Sequence, residues 1–234
     1  MAIIVGTGQT VKALTTYQTL GELRSLLQQR LGFQSSGAAS GINASTIDNY
    51  LFNAQVQIYW HTDWKKLTHY ADKTVGVGQT LIDYPTAAAG APADANPERI
   101  LKIAVLVNGI YQPVVEGINT EHYSYSDRQY YPQRYERYGQ IELWPQSDQT
   151  YTVRIWYIRE LARFSQDNDR TTIDDDLVFL HALANAKAHY RQPDAEVYAG
   201  QLATLMGNIK TKQFGNKTFS RGSGSETQIR PRVI

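Results

Sequence analysis

Cysteine is absent from the 234 residues, which excludes disulfide frameworks, thiol nucleophiles and thiolate metal sites. Charged residues are scarce at 19%, and the formal net charge of +1 is too balanced for a protein that wraps nucleic acid with its whole surface. The apolar run at residues 103–107 is far shorter than the roughly 20 residues that cross a bilayer. Residues 1–5 lack the basic lead and the cleavage site of a signal peptide. We therefore expect an intracellular protein without a membrane span.

Motifs that carry chemistry are also missing. The repeat Gly-x-Gly-Gln-Thr at residues 6–10 and 76–80 lacks the further residues of a phosphate loop, so we interpret both copies as turns before strands. The five histidines form no His-Glu-x-x-His, and there is no Gly-x-Ser-x-Gly. The helix dipole explains the run Asp174, Asp175 and Asp176 at a helix start without a metal. We expect no catalytic, metal-binding or cofactor-binding residue, and hence no enzyme.

Helical periodicity occurs near both ends of the chain. Thr19 and Glu22 have the spacing of a capping box, four leucines follow on one face, and Gly32 stands where a helix usually ends. Ser45 and Asp48 repeat the capping-box spacing after a Ser/Gly/Ala-rich loop at residues 33–44. The pattern predicts helices over residues 19–31, 46–60, 174–190 and 194–212, the last ending before Gly215.

Strand-like segments fill the middle of the chain, at residues 64–75, 80–84, 99–107, 110–116, 141–144 and 151–158. Asn108-Gly109 predicts a hairpin between the third and fourth, because both residues tolerate positive φ. The turn at residues 145–148 predicts a second hairpin, between the last two. The last strand has a clear core face, and its other face is only partly polar, as expected if a second sheet or a partner covers it. The residues of the core face are Tyr151, Val153, Ile155 and Tyr157.

These elements predict an α+β fold. A bundle of about four helices carries a β-rich insertion of antiparallel hairpins and an extended C-terminal tail. We expect the helical core at residues 1–63 and 172–213, the insertion at residues 64–171 and the tail at residues 214–234.

Tyrosine is unusually frequent, and six of the 16 tyrosines fall within residues 123–138, interleaved with arginines. Tyrosine and arginine are enriched at protein interfaces, so we expect this window to be exposed in the isolated subunit and buried in an assembly. Stacking on sugars or single-stranded nucleic acid, or tyrosines that merely cover a sheet, are alternatives. The candidate interface residues are Tyr123, Tyr125, Arg128, Tyr130, Tyr131, Arg134 and Tyr135.

The C-terminal segment is basic, with six lysines and arginines against one acid from residue 207 onward. Such a tail stays solvated, contacts nucleic acid or orders on an acidic partner. Two phenylalanines and the terminal Val233-Ile234 favour ordering on a protein. The candidate docking residues are Phe214, Lys217, Phe219, Arg221, Arg230 and Arg232.

Several short segments together resemble a head-to-tail adaptor, or connector, protein of a short-tailed bacteriophage. They are Leu20-Gly21-Glu22-Leu23-Arg24, Asn53-Ala54-Gln55 with Trp60 and Trp64, Asp83-Tyr84-Pro85, Ile141-Glu142-Leu143-Trp144-Pro145, and Asp174-Asp175-Asp176-Leu177 with the Ala-rich helix to Tyr190.

The resemblance implies a structural virion protein at the head–tail junction, assembled in the cytoplasm of the host bacterium. Copies, usually twelve, form a ring beneath the portal after genome packaging and offer a platform to the tail nozzle and sometimes the tail fibres. The resemblance implies no catalytic residue, no cofactor and no membrane contact, and DNA passes through the ring without sequence-specific contact. The portal is then the partner on which we expect the basic tail to order.

Two other functions stay open at this point. A carbohydrate-binding or tail-fibre-like module would use the tyrosine window as a sugar platform. An enzyme would need a pocket of converging polar groups that the sequence does not reveal.

Overall fold

A computed structural model describes residues 17–33, 38–124 and 128–218, and it confirms the α+β class. The chain divides into a helical unit, from the described parts of Met1–Thr62 and Ala162–Ile234, and a sheet unit, Asp63–Leu161. In chain order the elements are α1 (Leu20–Leu31), α2 (Ala38–His61), β1 (Thr68–Val75), β2 (Leu81–Ile82), β3 (Ala95–Val107), β4 (Ile110–Glu116), α3 (Thr120–Tyr123), β5 (Arg134–Arg137), β6 (Ile141–Trp144), β7 (Tyr151–Arg159), α4 (Asp175–His189) and α5 (Ala195–Thr218).

The first helix forms as the sequence predicts. The Thr19 hydroxyl accepts a hydrogen bond from the Glu22 amide, and the Glu22 carboxylate accepts one from the Thr19 amide, which completes the capping box. Gly32 ends the helix in the left-handed conformation, with φ of 78°. The leucine face is buried and includes Leu20, Leu23, Leu27 and Leu31.

The second helix corrects the prediction, because α2 begins at Ala38 and Ser45 therefore lies inside it. The alanines of the Ser/Gly/Ala-rich segment favour a helix, because alanine is the strongest helix former. Asp48 does not cap a helix; its carboxylate accepts two hydrogen bonds from the Arg24 guanidinium, at 2.7 and 2.9 Å. This pair joins α1 to α2, whose buried face includes Ile47, Leu51, Ala54 and Ile58.

In the helical unit α4 packs against α1, α2 and α5. Its start is joined to the segment before α1, because the Asp175 carboxylate accepts a hydrogen bond from the Gln18 amide at 3.0 Å. Its end is joined to the start of α5 by Lys187, whose buried ammonium lies 2.7 Å from the Asp194 carboxylate. Buried Gln55 on α2 donates to the Ala162 carbonyl and accepts from the Thr172 amide, so it holds the segment that leads into α4.

The last helix is longer than predicted. It runs through Gly215 to Thr218, so Phe214 and Lys217 belong to the helical backbone and not to an extended tail. A glycine inside a helix costs only about 1 kcal/mol relative to alanine, and here it does not end the helix. Among the described helices, none combines the length and the hydropathy that crossing a bilayer requires.

The sheet unit holds seven strands in the order β1-β7-β3-β4-β5-β6-β2. Neighbours pair antiparallel except β4 and β5, which run parallel. Asn108 and Gly109 form the turn between β3 and β4, with φ of 50° and 80°. Residues Lys65–Leu67 form a 3-10 turn, so the first strand begins later than predicted, at Thr68.

The predicted hairpin between the last two strands is wrong. β6 lies between β5 and β2, whereas β7 lies between β1 and β3, so the two are not neighbours. The segment between them pairs elsewhere: Gln146 forms a bridge with Gln129, and the Ser147 carbonyl accepts a hydrogen bond from the Gly78 amide at 2.7 Å. β7 instead pairs with β1 along one edge and with β3 along the other.

The inner face of the sheet forms the core of this unit. On β7 the predicted core face is confirmed, since Tyr151, Val153, Ile155 and Tyr157 are all buried. Side chains from β1, β2, β3, β4, β5 and β6 complete the cluster, among them Val75, Ile82, Ile103, Val105, Val114, Tyr135, Ile141 and Leu143.

Candidate functional site: a tyrosine-rich protein interface

The tyrosine window is divided by the sheet. β5 pairs with β6, and its alternation turns Tyr135 toward the core and Arg134 and Glu136 toward the outer face. Tyr123, Tyr130 and Tyr138 are exposed by 45%, 49% and 60%. In the isolated subunit, only part of the window is therefore exposed to a partner.

Tyr135 corrects the expectation of an exposed window, because only 5% of the residue is exposed. Its hydroxyl donates a hydrogen bond to the Glu116 carboxylate at 3.3 Å. Burial and the neighbouring negative charge of Glu116 raise the pKa of Tyr135 to about 12. The residue contributes a protonated hydroxyl and a core ring, and almost none of its surface is available to a partner.

The arginines next to Tyr135 are committed to backbone and carboxylate partners. Arg134 donates to the Gly117 carbonyl at 3.0 Å, and Gly117 has φ of 107°, which glycine adopts without strain. Arg137 pairs with Glu116 at 2.6 Å and also donates to the carbonyls of Pro97 and Glu98. These bonds fix the segment that follows β4 against β5.

The exposed part of the site centres on α3. Asn119 begins this short helix, and its amide donates to His122 Nδ1 at 3.0 Å. The indole of Trp144 donates to the His122 carbonyl at 3.0 Å, and the two rings meet edge to face at 4.4 Å. The helix is thereby held on the outer face of β6.

Tyr123 projects from α3 and donates its hydroxyl to the Glu142 carboxylate at 3.0 Å. Partial burial and hydrogen bonds with Glu142 and Tyr138 raise the pKa of the Tyr123 hydroxyl above its ordinary value. The hydroxyl therefore stays protonated, which suits a hydrogen-bond donor and not a general base. The backbone of Tyr138 is fixed by the Tyr84 hydroxyl, which donates to its carbonyl at 2.9 Å.

Carboxylates surround these rings, and sequence reasoning missed them. Glu136 lies on the outer face of β5, Glu142 on that of β6, Asp83 follows β2, and Glu121 is exposed on α3. Their position depends on strand register, which no local pattern reports. We name this surface the tyrosine face; its residues are Asp83, Glu121, Tyr123, Glu136, Tyr138, Glu142 and Trp144.

The remaining candidates include a further exposed tyrosine of the window, Tyr130, and several residues outside the description. The rings of Tyr130 and Tyr131 meet at 4.4 Å, and Tyr131 also packs on the core cluster. Arg128 is exposed. Tyr125 and four of the proposed docking residues, Phe219, Arg221, Arg230 and Arg232, lie outside the described residues.

The candidate metal ligands belong to the helical unit and not to the tyrosine face. In the described part of the chain, three acidic side chains that could jointly hold a metal occur only at Asp174, Asp175 and Asp176, at the start of α4. Asp175 there already accepts the Gln18 amide, and negative charge at a helix start needs no metal. Burial lowers the pKa of His181 and of His69, and Arg159 lowers that of His69 further.

Comparison with known proteins identifies the family of the chain. The family model described as SU10 adaptor protein matches residues 16–228, which include every described element. No curated protein matches the chain. The match confirms the resemblance to a phage head-to-tail adaptor that the sequence segments indicate. The chain belongs to the SU10 adaptor protein family and is a structural adaptor of the phage virion.

Proposed function

We propose that the chain is a ring-forming connector that joins the portal to the tail nozzle and the tail fibres after genome packaging. Twelve copies form the ring at the head–tail junction, DNA passes through it without sequence-specific contact, and assembly takes place in the host cytoplasm. The helical core, the β-rich insertion and the C-terminal tail are separate parts in this proposal. No step of the proposal requires catalysis, a cofactor or a membrane.

The observation that carries the proposal is the exposure of large aromatic side chains held by polar contacts. Tyr123 and Tyr138 expose about half of their area while Glu142 and a backbone bond fix their positions. Fixed amphipathic rings lose little conformational entropy when a partner covers them, which is why tyrosine is common at energetic centres of interfaces. In a structural virion protein, such a surface fits another virion component.

The test of this interface uses purified portal protein of the same phage. We replace Tyr123, Tyr130 and Tyr138 by Ala and leave buried Tyr135 intact; the matched control is Tyr190→Ala, a partly exposed tyrosine of the helical unit. We expect all variants to keep the wild-type circular dichroism spectrum, and only the triple variant to lose the ring-sized complex in electron microscopy and light scattering. Wild-type assembly by the triple variant would contradict the interface. Binding of glycans without any portal complex would favour the carbohydrate-binding alternative.

The basic tail is the portal-docking element in this proposal. Because α5 runs to Thr218, truncation after Thr218 removes the last 16 residues without cutting the helix. A second variant, Phe214→Ser with Phe219→Ser, keeps every charge. We expect both to weaken portal binding. Binding that survives both the truncation and the phenylalanine changes would contradict docking by the tail. Binding that survives the phenylalanine changes but is lost at moderate salt would leave an electrostatic contact only.

A further inference from the structure

A second aromatic surface lies on the outer face of the other four strands. The register sets Tyr70 of β1 and Lys102 of β3 opposite Trp156 of β7, and Asp72 opposite Arg154. Tyr111 of β4 completes the group beside them. We name this surface the basic ridge; its residues are Tyr70, Asp72, Lys102, Tyr111, Arg154 and Trp156.

The side chains of the basic ridge hold one another in place. Arg154 lies between two tyrosines, with its guanidinium carbon 4.4 Å from the ring centre of Tyr70 and 4.5 Å from that of Tyr111. The same guanidinium donates two hydrogen bonds of 2.7 Å to Asp72. The ring of Trp156 meets Tyr111 edge to face at 6.2 Å. The ridge is therefore ordered in the free subunit, which lowers the entropy that docking would cost.

The composition of the ridge is that of a protein-docking centre. Tyrosine, tryptophan and arginine dominate the energetic centres of interfaces. Tyr70 is 52% exposed, and Lys102 is exposed with its ammonium 5.3 Å from the centre of the Trp156 ring. A cation already lies against the ring of Tyr70, of Tyr111 and of Trp156, which leaves less ring area for stacking on a sugar.

The two outer surfaces of the sheet unit have opposite charge. The basic ridge carries two cations, Lys102 and Arg154, and one carboxylate, that of Asp72. Among the described residues of the tyrosine face and its border, Arg134 is the cation that accompanies four carboxylates. The carboxylates are those of Asp83, Glu121, Glu136 and Glu142.

We infer that the basic ridge of one copy docks on the tyrosine face of a second copy. The occupant is a second copy because this chain itself carries the complementary surface, on different strands of the same sheet. When one copy uses its ridge and the next copy uses its tyrosine face, the contact is heterologous. Such contacts form a closed ring when the rotation between copies closes and an open filament when it does not, and the proposed ring is the closed case. The inference rests on the proposed ring and specifies which surfaces form its subunit contact.

The test exchanges the charges of the two surfaces. Variant A, Thr74→Glu with Lys102→Glu, makes the ridge acidic; Thr74 is exposed on the same face of β1. Variant B, Asp83→Lys with Glu121→Lys, changes the net charge of the tyrosine face together with Arg134 from −3 to +1. Matched controls are Arg163→Glu and Glu160→Lys, which change exposed charges outside both surfaces. Each is measured alone and mixed, by sedimentation velocity over a concentration series and by electron microscopy on portal rings.

We expect A alone and B alone to self-associate at least about tenfold more weakly than wild type, because like charges then face each other across the contact. The equimolar mixture restores assembly, since each surface of A complements a surface of B. Wild-type assembly by A or B alone, or a mixture that does not assemble, would overturn the inference while the proposed ring stands. A wild-type chain that forms no oligomer even on portal rings would overturn the ring and the inference together.

Discussion

The two faces of the sheet use the same residue type in different ways. Tyr157 on the inner face of β7 is fully buried, and its hydroxyl donates to the Ala93 carbonyl at 2.7 Å. Tyr70, on the outer face of the adjacent strand β1, is half exposed and stacks on Arg154. The inner ring stabilises the fold through its buried area, whereas the outer ring is held by a polar neighbour and leaves area for a partner. This difference separates the residues of the core from those of assembly.

The largest expected effect comes from removing the inner ring. Tyr157→Ala leaves a cavity in the core, and we expect it to lower the free energy of unfolding by about 3–5 kcal/mol. The same change on the outer face, Tyr70→Ala, is expected to cost below about 1 kcal/mol. Urea denaturation followed by circular dichroism measures both.

Both substitutions replace tyrosine by alanine, so the difference between their losses of unfolding free energy reports the difference between the two faces of the sheet. Equal losses of stability would mean that the outer face also belongs to the core. In that case the basic ridge would be a structural cluster, and its proposed role in docking would lose its basis.

Much of the inner face could be predicted from the sequence. The alternation on β7 identifies Tyr151, Val153, Ile155 and Tyr157 because strand side chains point alternately to the two faces. The sequence does not predict β5, because Arg-Tyr-Glu-Arg has no β-branched residue. This segment forms a strand through its pairing with β4 and β6. The sequence pattern therefore does not distinguish Tyr135 from its exposed neighbours, whereas the register with β6 places it in the core.

The outer surfaces could not be predicted for a similar reason. Tyr70, Lys102, Tyr111 and Arg154 are far apart in the sequence and meet only because β1, β7, β3 and β4 are neighbours. A partly polar outer face of β7 indicates that something covers it, but no local pattern identifies the residues beside it. Strand order, and not periodicity, determines both outer surfaces.

A smaller effect is expected from removing single hydroxyls. Tyr157→Phe keeps the ring and leaves the Ala93 carbonyl without this donor, so we expect a loss of about 1 kcal/mol in unfolding free energy. Tyr123→Phe removes the exposed bond to Glu142, and the smaller desolvation there predicts a loss below about 0.5 kcal/mol. Urea denaturation of both variants is the measurement. A larger loss for Tyr123→Phe than for Tyr157→Phe would contradict the comparison of the two faces.

The smallest expected effect is a dependence of stability on pH from the outer ion pair. Hydrogen bonding from Arg154 holds the pKa of Asp72 below its usual value near 3.9, and burial acts in the opposite direction. A carboxyl whose pKa is lowered by folding stabilises the protein above its unfolded pKa, and that contribution disappears as the pH falls through the lower folded pKa. Asp72→Asn should therefore be slightly less stable than wild type at pH 7, and the difference should shrink below about pH 4. Urea midpoints of the two proteins between pH 7 and pH 2.5 measure it. Because both side chains are partly exposed, 0.5 M salt should also reduce the difference at pH 7. A difference that is independent of pH and salt would show that Asp72 acts by positioning Arg154 between its two tyrosines and not through its charge.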